Sequence, residues 1–318
     1  MVNPKRIGIT IGDPGGIGPE TVLKAIRSPE IRDLYRFVVI GDIPVIEAVI
    51  KEMDLSFETE GIEFIDMKII RDFRFERNRP TASNGDASVA YIKKAIDLAL
   101  DGYIDAIVTA PISKEAWNMA GYPWPGHTEM LANLTNTKDF TMMFYSDRLK
   151  LILVTIHVAL KDVPGLIKKE NVLKAIMLAK KACDMMEIEN PEIAVAGLNP
   201  HAGEAGIFGD EEIREIIPAV KEAQVAGIYV SGPYPADTLF YRAYKGEFDM
   251  IVCMYHDQGL VPLKMVAFDR AVNVTVGLPI IRTSPDHGTA YDIAWKGVAD
   301  PSSMIEAIKL AGRMRIRN

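Results

Sequence analysis

The sequence predicts an α/β protein of two domains, each built on mainly parallel strands with helices between them. Short apolar runs alternate along the chain with stretches of helical period, and most of the runs end in a turn marked by glycine or proline. The length points the same way: 318 residues, 48% of them hydrophobic and 25% charged, exceed one ordinary core and suit two.

Taken in order, Arg6 to Gly12 reads as the first strand, followed by the turn Asp13-Pro14-Gly15-Gly16-Ile17-Gly18 and a helix to Ile26. Gly12, Gly15 and Gly18 are spaced by three throughout, which excludes the dinucleotide fingerprint, and no Lys-Ser/Thr follows, which excludes a P-loop. Such a turn either presents backbone N–H groups to an anion or is a tight crossing with Asp13 as a cap. Next come a strand at Phe37 to Gly41, a helix at Ile43 to Glu52, and a stretch from Leu55 to Pro80 that fits short strands. Asn84-Gly85-Asp86 opens a helix over Ala87 to Leu100, and Ile104 to Ala110 is a buried strand leading through Ser113, Lys114 and Trp117 to the hinge-like loop Gly121 to Gly126. Strands at Phe140 to Ser146 and Leu149 to His157 form a pair, a helix spans Val172 to Met186, and Glu192 to Leu198 delivers His201 into a glycine-marked loop. Helices at Asp210 to Glu222 and Asp237 to Tyr244 precede two further runs, Met250 to Met254 and Val272 to Val276, read as buried parallel strands leading into polar loops.

A formal charge of −7 argues against nucleic acid as a partner, which would require a basic face. The longest apolar stretch, Leu151 to Leu160, is interrupted by Thr155 and His157 and too short to span a membrane, and no charged-then-apolar leader opens the chain. With only Cys183 and Cys253, both in apolar settings, a reduced cytoplasmic protein is expected.

All five histidines fall in polar loops or at element ends: His127, His157, His201, His256 and His287. His157, His201 and His256 each close a strand, which points to a shared divalent metal site with positions left open for substrate oxygen. His127-Thr128 at a helix start, and Lys264 and Arg282 in apolar settings, suit the binding of a carboxylate or phosphate.

The blocks GDPGGIGPE, TAPISKEA, GHTE, GLNPHAGE, PADTLF, MYHDQGL and GLPIIRTSPDHGTAYDIA, in this order, resemble the 4-hydroxythreonine-4-phosphate dehydrogenases of pyridoxal phosphate biosynthesis along nearly the whole chain. Gly15 stands where that family usually has alanine. The resemblance implies two α/β/α domains with a cleft between them, similar to isocitrate and isopropylmalate dehydrogenases: residues 1–125 with 268–318, and residues 126–267. It implies His157, His201 and His256 as ligands of one divalent ion (zinc, cobalt, magnesium or manganese), in an active site completed across a homodimer interface. His127, Thr128, Lys264, Asn273 and Arg282 are the implied contacts to a phosphorylated substrate. His287, Gly288, Thr289, Ala290 and Asp292 form the implied loop for NAD, with NADP as an alternative.

The implied reaction is oxidation of 4-phosphooxy-L-threonine to a β-keto acid that decarboxylates to 3-amino-2-oxopropyl phosphate. Lys264, Asp237 and Asp257 are the candidate proton acceptors by residue type, with Lys264 or a metal-bound hydroxide favoured over Asp257, which is suited to orienting His256. A related group acts on D-threonate or D-erythronate 4-phosphate and shares nearly all these motifs. A metal-dependent aldolase and a non-catalytic phosphometabolite-binding module are the remaining readings.

Overall fold

The computed structural model describes residues 4–54, 61–71 and 75–316. The chain divides into two compact units, Met1–Thr137 with Leu278–Arg313, and Lys138–Gly277 with Met314–Asn318. Both expected boundaries lie N-terminal to these, so His127 and Thr128 belong to the first unit and not to the second.

The first unit runs β1 (Arg6–Thr10), α1 (Gly18–Ile26), β2 (Arg36–Gly41), α2 (Ile43–Glu52), β3 (Ile62–Asp66), α3 (Ala82–Leu100), β4 (Ala106–Thr109), α4 (Lys114–Met119) and α5 (His127–Leu134). The second contributes β5 (Thr141–Tyr145), β6 (Lys150–Leu153), α6 (Val163–Leu166), α7 (Lys169–Met185), β7 (Ile193–Ala196), α8 (Ile217–Val225), β8 (Val230–Tyr234), α9 (Ala236–Tyr244), β9 (Met250–Cys253), α10 (His256–Ala267) and β10 (Val272–Val276). The chain then returns to the first unit with β11 (Arg282–Pro285) and α11 (Ser302–Arg313). Of the stretch Leu55 to Pro80, β3 is the strand found; residues 55–60 and 72–74 lie outside the described residues.

In the first unit the strand order is β3-β2-β1-β4-β11, and every neighbouring pair is parallel. Ile7, Ile9, Val39, Ile107 and Val108 are wholly buried, as strands covered on both faces require. Burial of each such side chain contributes about 1.5–3 kcal/mol. Helix α3 starts earlier than Asn84-Gly85-Asp86 suggested, because the Thr81 side chain caps it by accepting from the Asn84 N–H. Gly85 is instead a contact point: a Cβ there would lie 2.2 Å from the Ala116 carbonyl of α4.

In the second unit the order is β10-β5-β6-β9-β7-β8. β6, β9, β7 and β8 are parallel, but β5 pairs antiparallel with both β6 and β10, so the expected parallel setting of Val272–Val276 is corrected. Residues 256–267 form helix α10, where a polar loop was expected. Its Gly259 is required by packing, since a Cβ would meet Leu151 and Cys253 at 2.9 and 3.0 Å.

Candidate active site

In the first unit, parallel pairing of β11 with β4 sets Arg282 opposite Ile107 and Thr283 opposite Val108. Arg282 is 3% exposed, and its Nε and Nη2 donate to Thr109 Oγ1 at 3.2 and 2.7 Å. Burial pulls the guanidinium below its ordinary range, partly offset by Glu129. His127 is the first residue of α5 and sets its ring edge-on to Trp117, 5.7 Å between centroids. The ring is half-buried, yet its Nε2 is shut off from solvent with no hydrogen-bond partner. Burial, then the charges of Arg282 and Lys114, hold this imidazole well below the usual histidine range and therefore neutral near pH 7. An unsatisfied buried nitrogen costs about 1–3 kcal/mol, and such atoms concentrate where a ligand completes the bonding. Thr128 is buried beside it. The arrangement can take an anion bearing several acceptor oxygens.

The turn after β1 directs its own donors inward. The Gly15 N–H donates to Asp13 Oδ1 at 2.8 Å, that of Gly16 to the Asp13 carbonyl, and that of Ile17 to the Thr289 carbonyl. Its glycines make room for protein atoms: a Cβ at Gly12 would strike the Pro111 carbonyl at 2.3 Å, one at Gly18 the Ile11 carbonyl at 2.3 Å, and one at Gly16 would meet Thr289 at 3.0 Å. Of the two readings of this turn, the tight crossing is the one these contacts favour. Asp13 is fully buried and accepts from Tyr291 Oη at 2.7 Å. Burial raises its carboxyl, and hydrogen bonds from Tyr291, Gly15 and Asn84 oppose the rise. Trp295 Nε1 donates to the Pro14 carbonyl, so the turn and the segment 289–295 brace each other. On that frame His287, Gly288 and Asp292 are exposed, Thr289 and Ala290 partly so, and nothing approaches the position of a Gly288 Cβ. A backbone open at Gly288 and a free-standing carboxylate at Asp292 fit a nucleotide.

In the second unit a cavity of about 440 Å³ is lined by Ile156, His157, Val158, Leu160, Val163, Tyr255, His256 and Asp257. β6 ends at Leu153, so His157 lies beyond the strand rather than on it, and His256 opens α10. Their ring centroids are 5.8 Å apart. An imidazole bound through nitrogen at about 2.0–2.1 Å has its centroid about 3.2 Å from the ion, so two rings on one ion stand roughly 5–6 Å apart. The centroid spacing of the pair falls within that range. Asp257 Oδ1 sits 2.7 Å from His256 Nδ1, a contact that leaves Nε2 as the ligating atom. His201 follows β7 on the segment Pro200–Gly206, tilted over Phe208 at 6.0 Å. Residues 201–205 all have left-handed φ, from 42° to 80°, four of them not glycine, at about 1–2 kcal/mol per residue. Among the described residues no three His, Cys, Asp or Glu side chains gather as a metal cluster, so His157 and His256 come together while His201 is not joined to them within this chain.

The other candidates are placed as follows. Asn273 is buried on β10, Lys264 on α10 lies 5.4 Å from the Phe268 ring, and Asp237 is exposed in the first turn of α9. Sequence reasoning missed Thr109, whose hydroxyl holds Arg282, and Gln258, which accepts from the Met254 N–H and donates to the Gly197 carbonyl, both at 2.7 Å. Gln258 thereby ties the start of α10 to the end of β7. A buried amide inside MYHDQGL was the available signal for it.

This is an α/β enzyme whose polar side chains gather at strand ends and helix starts. Residues 33–311 match the family described as Pyridoxal phosphate biosynthetic protein PdxA. The chain is similar to 4-hydroxythreonine-4-phosphate dehydrogenase of Desulforapulum autotrophicum, 47% identical over 97% of this chain and 95% of that protein. It is also similar to D-threonate 4-phosphate dehydrogenase of Pectobacterium atrosepticum, 43% identical over 96% and 98%. The crystal structure of 4-hydroxythreonine-4-phosphate dehydrogenase from Klebsiella pneumoniae superposes with a TM-score of 0.90 at 40% identity, covering 98% of both chains. The chain belongs to the PdxA family and is a dehydrogenase. Among the described residues no helix is long and apolar enough to cross a membrane.

Proposed function

We propose that this protein oxidises 4-phosphooxy-L-threonine with NAD, giving a β-keto acid that loses carbon dioxide to leave 3-amino-2-oxopropyl phosphate. The observation that carries the reading is the neutral, unsatisfied His127 Nε2 beside the buried Arg282, a pocket made for a multiply charged anion. Arg282 and Lys114 supply charge, Thr128 a hydroxyl, and His127 a directed ring nitrogen. Lys264 and Asn273 are assigned as further polar contacts to substrate. His287, Gly288, Thr289, Ala290 and Asp292 are the residues assigned to the nucleotide, with Asp292 suited to a ribose hydroxyl.

His157, His201 and His256 would hold the divalent ion, with a second copy of the chain completing the set. Exposed Leu160, Ile207, Val261, Met265 and Phe268 on the same unit are apolar surface that a homodimer would cover. When bound, the nicotinamide supplies the hydride acceptor and the ion a Lewis acid that favours ionisation of the substrate hydroxyl. Lys264 Nζ takes the hydroxyl proton, Asp257 fixes the tautomer of His256, and Asp237 stays outside this role, exposed on α9. A cytoplasmic site of action fits the two buried, unpaired thiols.

Relatives of comparable identity bear the name D-threonate 4-phosphate dehydrogenase, and this is the second reading. The two substrates differ in an amino group against a hydroxyl. The test is NAD reduction at 340 nm with each phosphate and a divalent ion. Turnover of the aminated substrate alone supports the first reading, turnover of the sugar-acid phosphate alone replaces it with the second, and reduction of NAD with neither overturns both.

A further inference from the structure

Glu212 is 1% exposed and has no part in the metal reading above. It opens the π-helical turn Glu212–Ile216 that leads into α8, and its carboxylate is aimed back at the loop carrying His201. Oε1 accepts from the backbone N–H groups of Leu198 and Asn199 at 2.8 and 2.7 Å, and Oε2 accepts from Asn199 Nδ2 at 2.9 Å. Asn199 Nδ2 also donates to Glu211 Oε2 at 2.8 Å. The loop is built closely around this carboxylate: a Cβ at Gly203 would come within 2.7 Å of Glu212 Oε2, one at Gly197 within 3.3 Å of Oε1, and one at Gly209 within 2.4 Å of Asn199 Nδ2.

These contacts grip Leu198 and Asn199, which only Pro200 separates from the left-handed run 201–205, where an unrestrained chain would relax to right-handed backbone. The exposed His201 has no comparable hold of its own among the described residues, its ring meeting Phe208. We infer that Glu212 is the positioning residue for His201, holding the left-handed turn so that the imidazole is set for a divalent ion before the ion arrives. The inference rests on the metal reading above. Glu212 touches neither ion nor substrate and acts through Asn199 and the turn.

The test compares the full-length wild type with Glu212→Gln, Glu212→Ala and His201→Ala, each first freed of metal by chelation. Co²⁺ is the probe, titrated by calorimetry and by its visible absorption, and amide hydrogen exchange is followed over 199–206. Glutamine keeps the size and one acceptor, so a folded Glu212→Gln protein with native circular dichroism is expected. Its Co²⁺ affinity should fall about 10–100-fold, as for loss of a residue that orients a ligand, and exchange over 199–206 should rise in the metal-free state. A spectrum and affinity equal to wild type in Glu212→Gln, with His201→Ala impaired, overturns the inference and leaves the metal reading standing. If wild type and His201→Ala take up Co²⁺ equally, the metal reading fails and the positioning of His201 for an ion falls with it; unchanged protection of 199–206 in both Glu212 variants overturns the hold on the turn as well.

Discussion

Thr109→Val is the cleanest probe of how the anion pocket is held. The substitution swaps one hydroxyl for a methyl at a fully buried strand end, so it removes an acceptor with little change of volume. Thr109 Oγ1 receives two Arg282 donors, one at 2.7 Å and a weaker one at 3.2 Å. A hydrogen bond to a charged group contributes about 1.5–3 kcal/mol. Both donors share one oxygen, so the expected loss is about 2–3 kcal/mol and not the sum of two full bonds. All three tryptophans, Trp117, Trp124 and Trp295, lie in the first unit, so their fluorescence in a urea titration reports that unit. The midpoint should fall with the slope unchanged. Inorganic phosphate raises the wild-type midpoint according to its affinity, and with the guanidinium less firmly held that affinity should drop by roughly 10-fold, about 1.4 kcal/mol. A Thr109→Val midpoint within about 0.5 kcal/mol of wild type, with phosphate binding intact, would refute the claim that this hydroxyl holds the guanidinium.

Two further outcomes follow from buried titratable groups. The folded-state pKa of His127 lies well below its unfolded value, so the unfolded chain binds the extra proton as pH falls below about 6.5, and stability from this site is present above that pH and lost beneath it, by up to about 1.4 kcal/mol per pH unit. His127→Gln should flatten that slope in urea midpoints measured from pH 7.5 to 5; an unchanged slope would show that the imidazole titrates normally. At Asp13, asparagine can still accept from the Gly15 N–H while the Tyr291 hydroxyl turns to accept, so Asp13→Asn should stay within about 1 kcal/mol. Asp13→Ala strands the Gly15 and Tyr291 donors and should cost about 2–4 kcal/mol and raise KM for NAD more than it lowers kcat, and equal effects of the two variants would show that Asp13 does not brace the 289–295 segment.

What the sequence made legible was the part where local rules and tertiary packing agree. β1, the glycine turn and α1 were readable because an apolar run, a turn and an amphipathic helix follow each other without conflict. The sense of β5 and β10 was hidden, because a strand buried on both faces shows the same unbroken apolar run whether its neighbours are parallel or antiparallel. Helix α10 was mistaken for loop because Gly259 and Pro262 are helix breakers by propensity; Gly259 is there for contact with Leu151 and Cys253, which no local pattern records. Two strands were missed outright. β8, VSGPY, carries glycine and proline, tolerable because it pairs on one side only at the end of the order β10-β5-β6-β9-β7-β8, and β11, RTSP, is polar in sequence yet wholly buried. The histidines stood out by their places in the chain, but their grouping depends on distances across strands, so the pairing of His157 with His256 and the separateness of His201 could not be read from spacing.

The inward-facing turn after β1 explains why the candidate anion pocket is built from side chains. In many α/β enzymes the first such turn offers its free N–H groups to a phosphate. Here those of Gly15, Gly16 and Ile17 are bonded to Asp13 and Thr289, and a buried carboxylate occupies the centre of the turn, which would repel a bound anion. In the proposed reading anion recognition then falls to side chains elsewhere in the unit, Arg282, Lys114, His127 and Thr128. Backbone donors are indifferent to pH, whereas this set includes an imidazole whose neutrality depends on burial and on two neighbouring cations. An arriving dianion would oppose those cations and favour protonation of His127, so phosphate binding to this unit should strengthen as pH falls from 8 to 6. Calorimetry in buffers of different ionisation enthalpy would register the proton uptake. Pure backbone recognition would show none, and would weaken as the phosphate itself gains a proton.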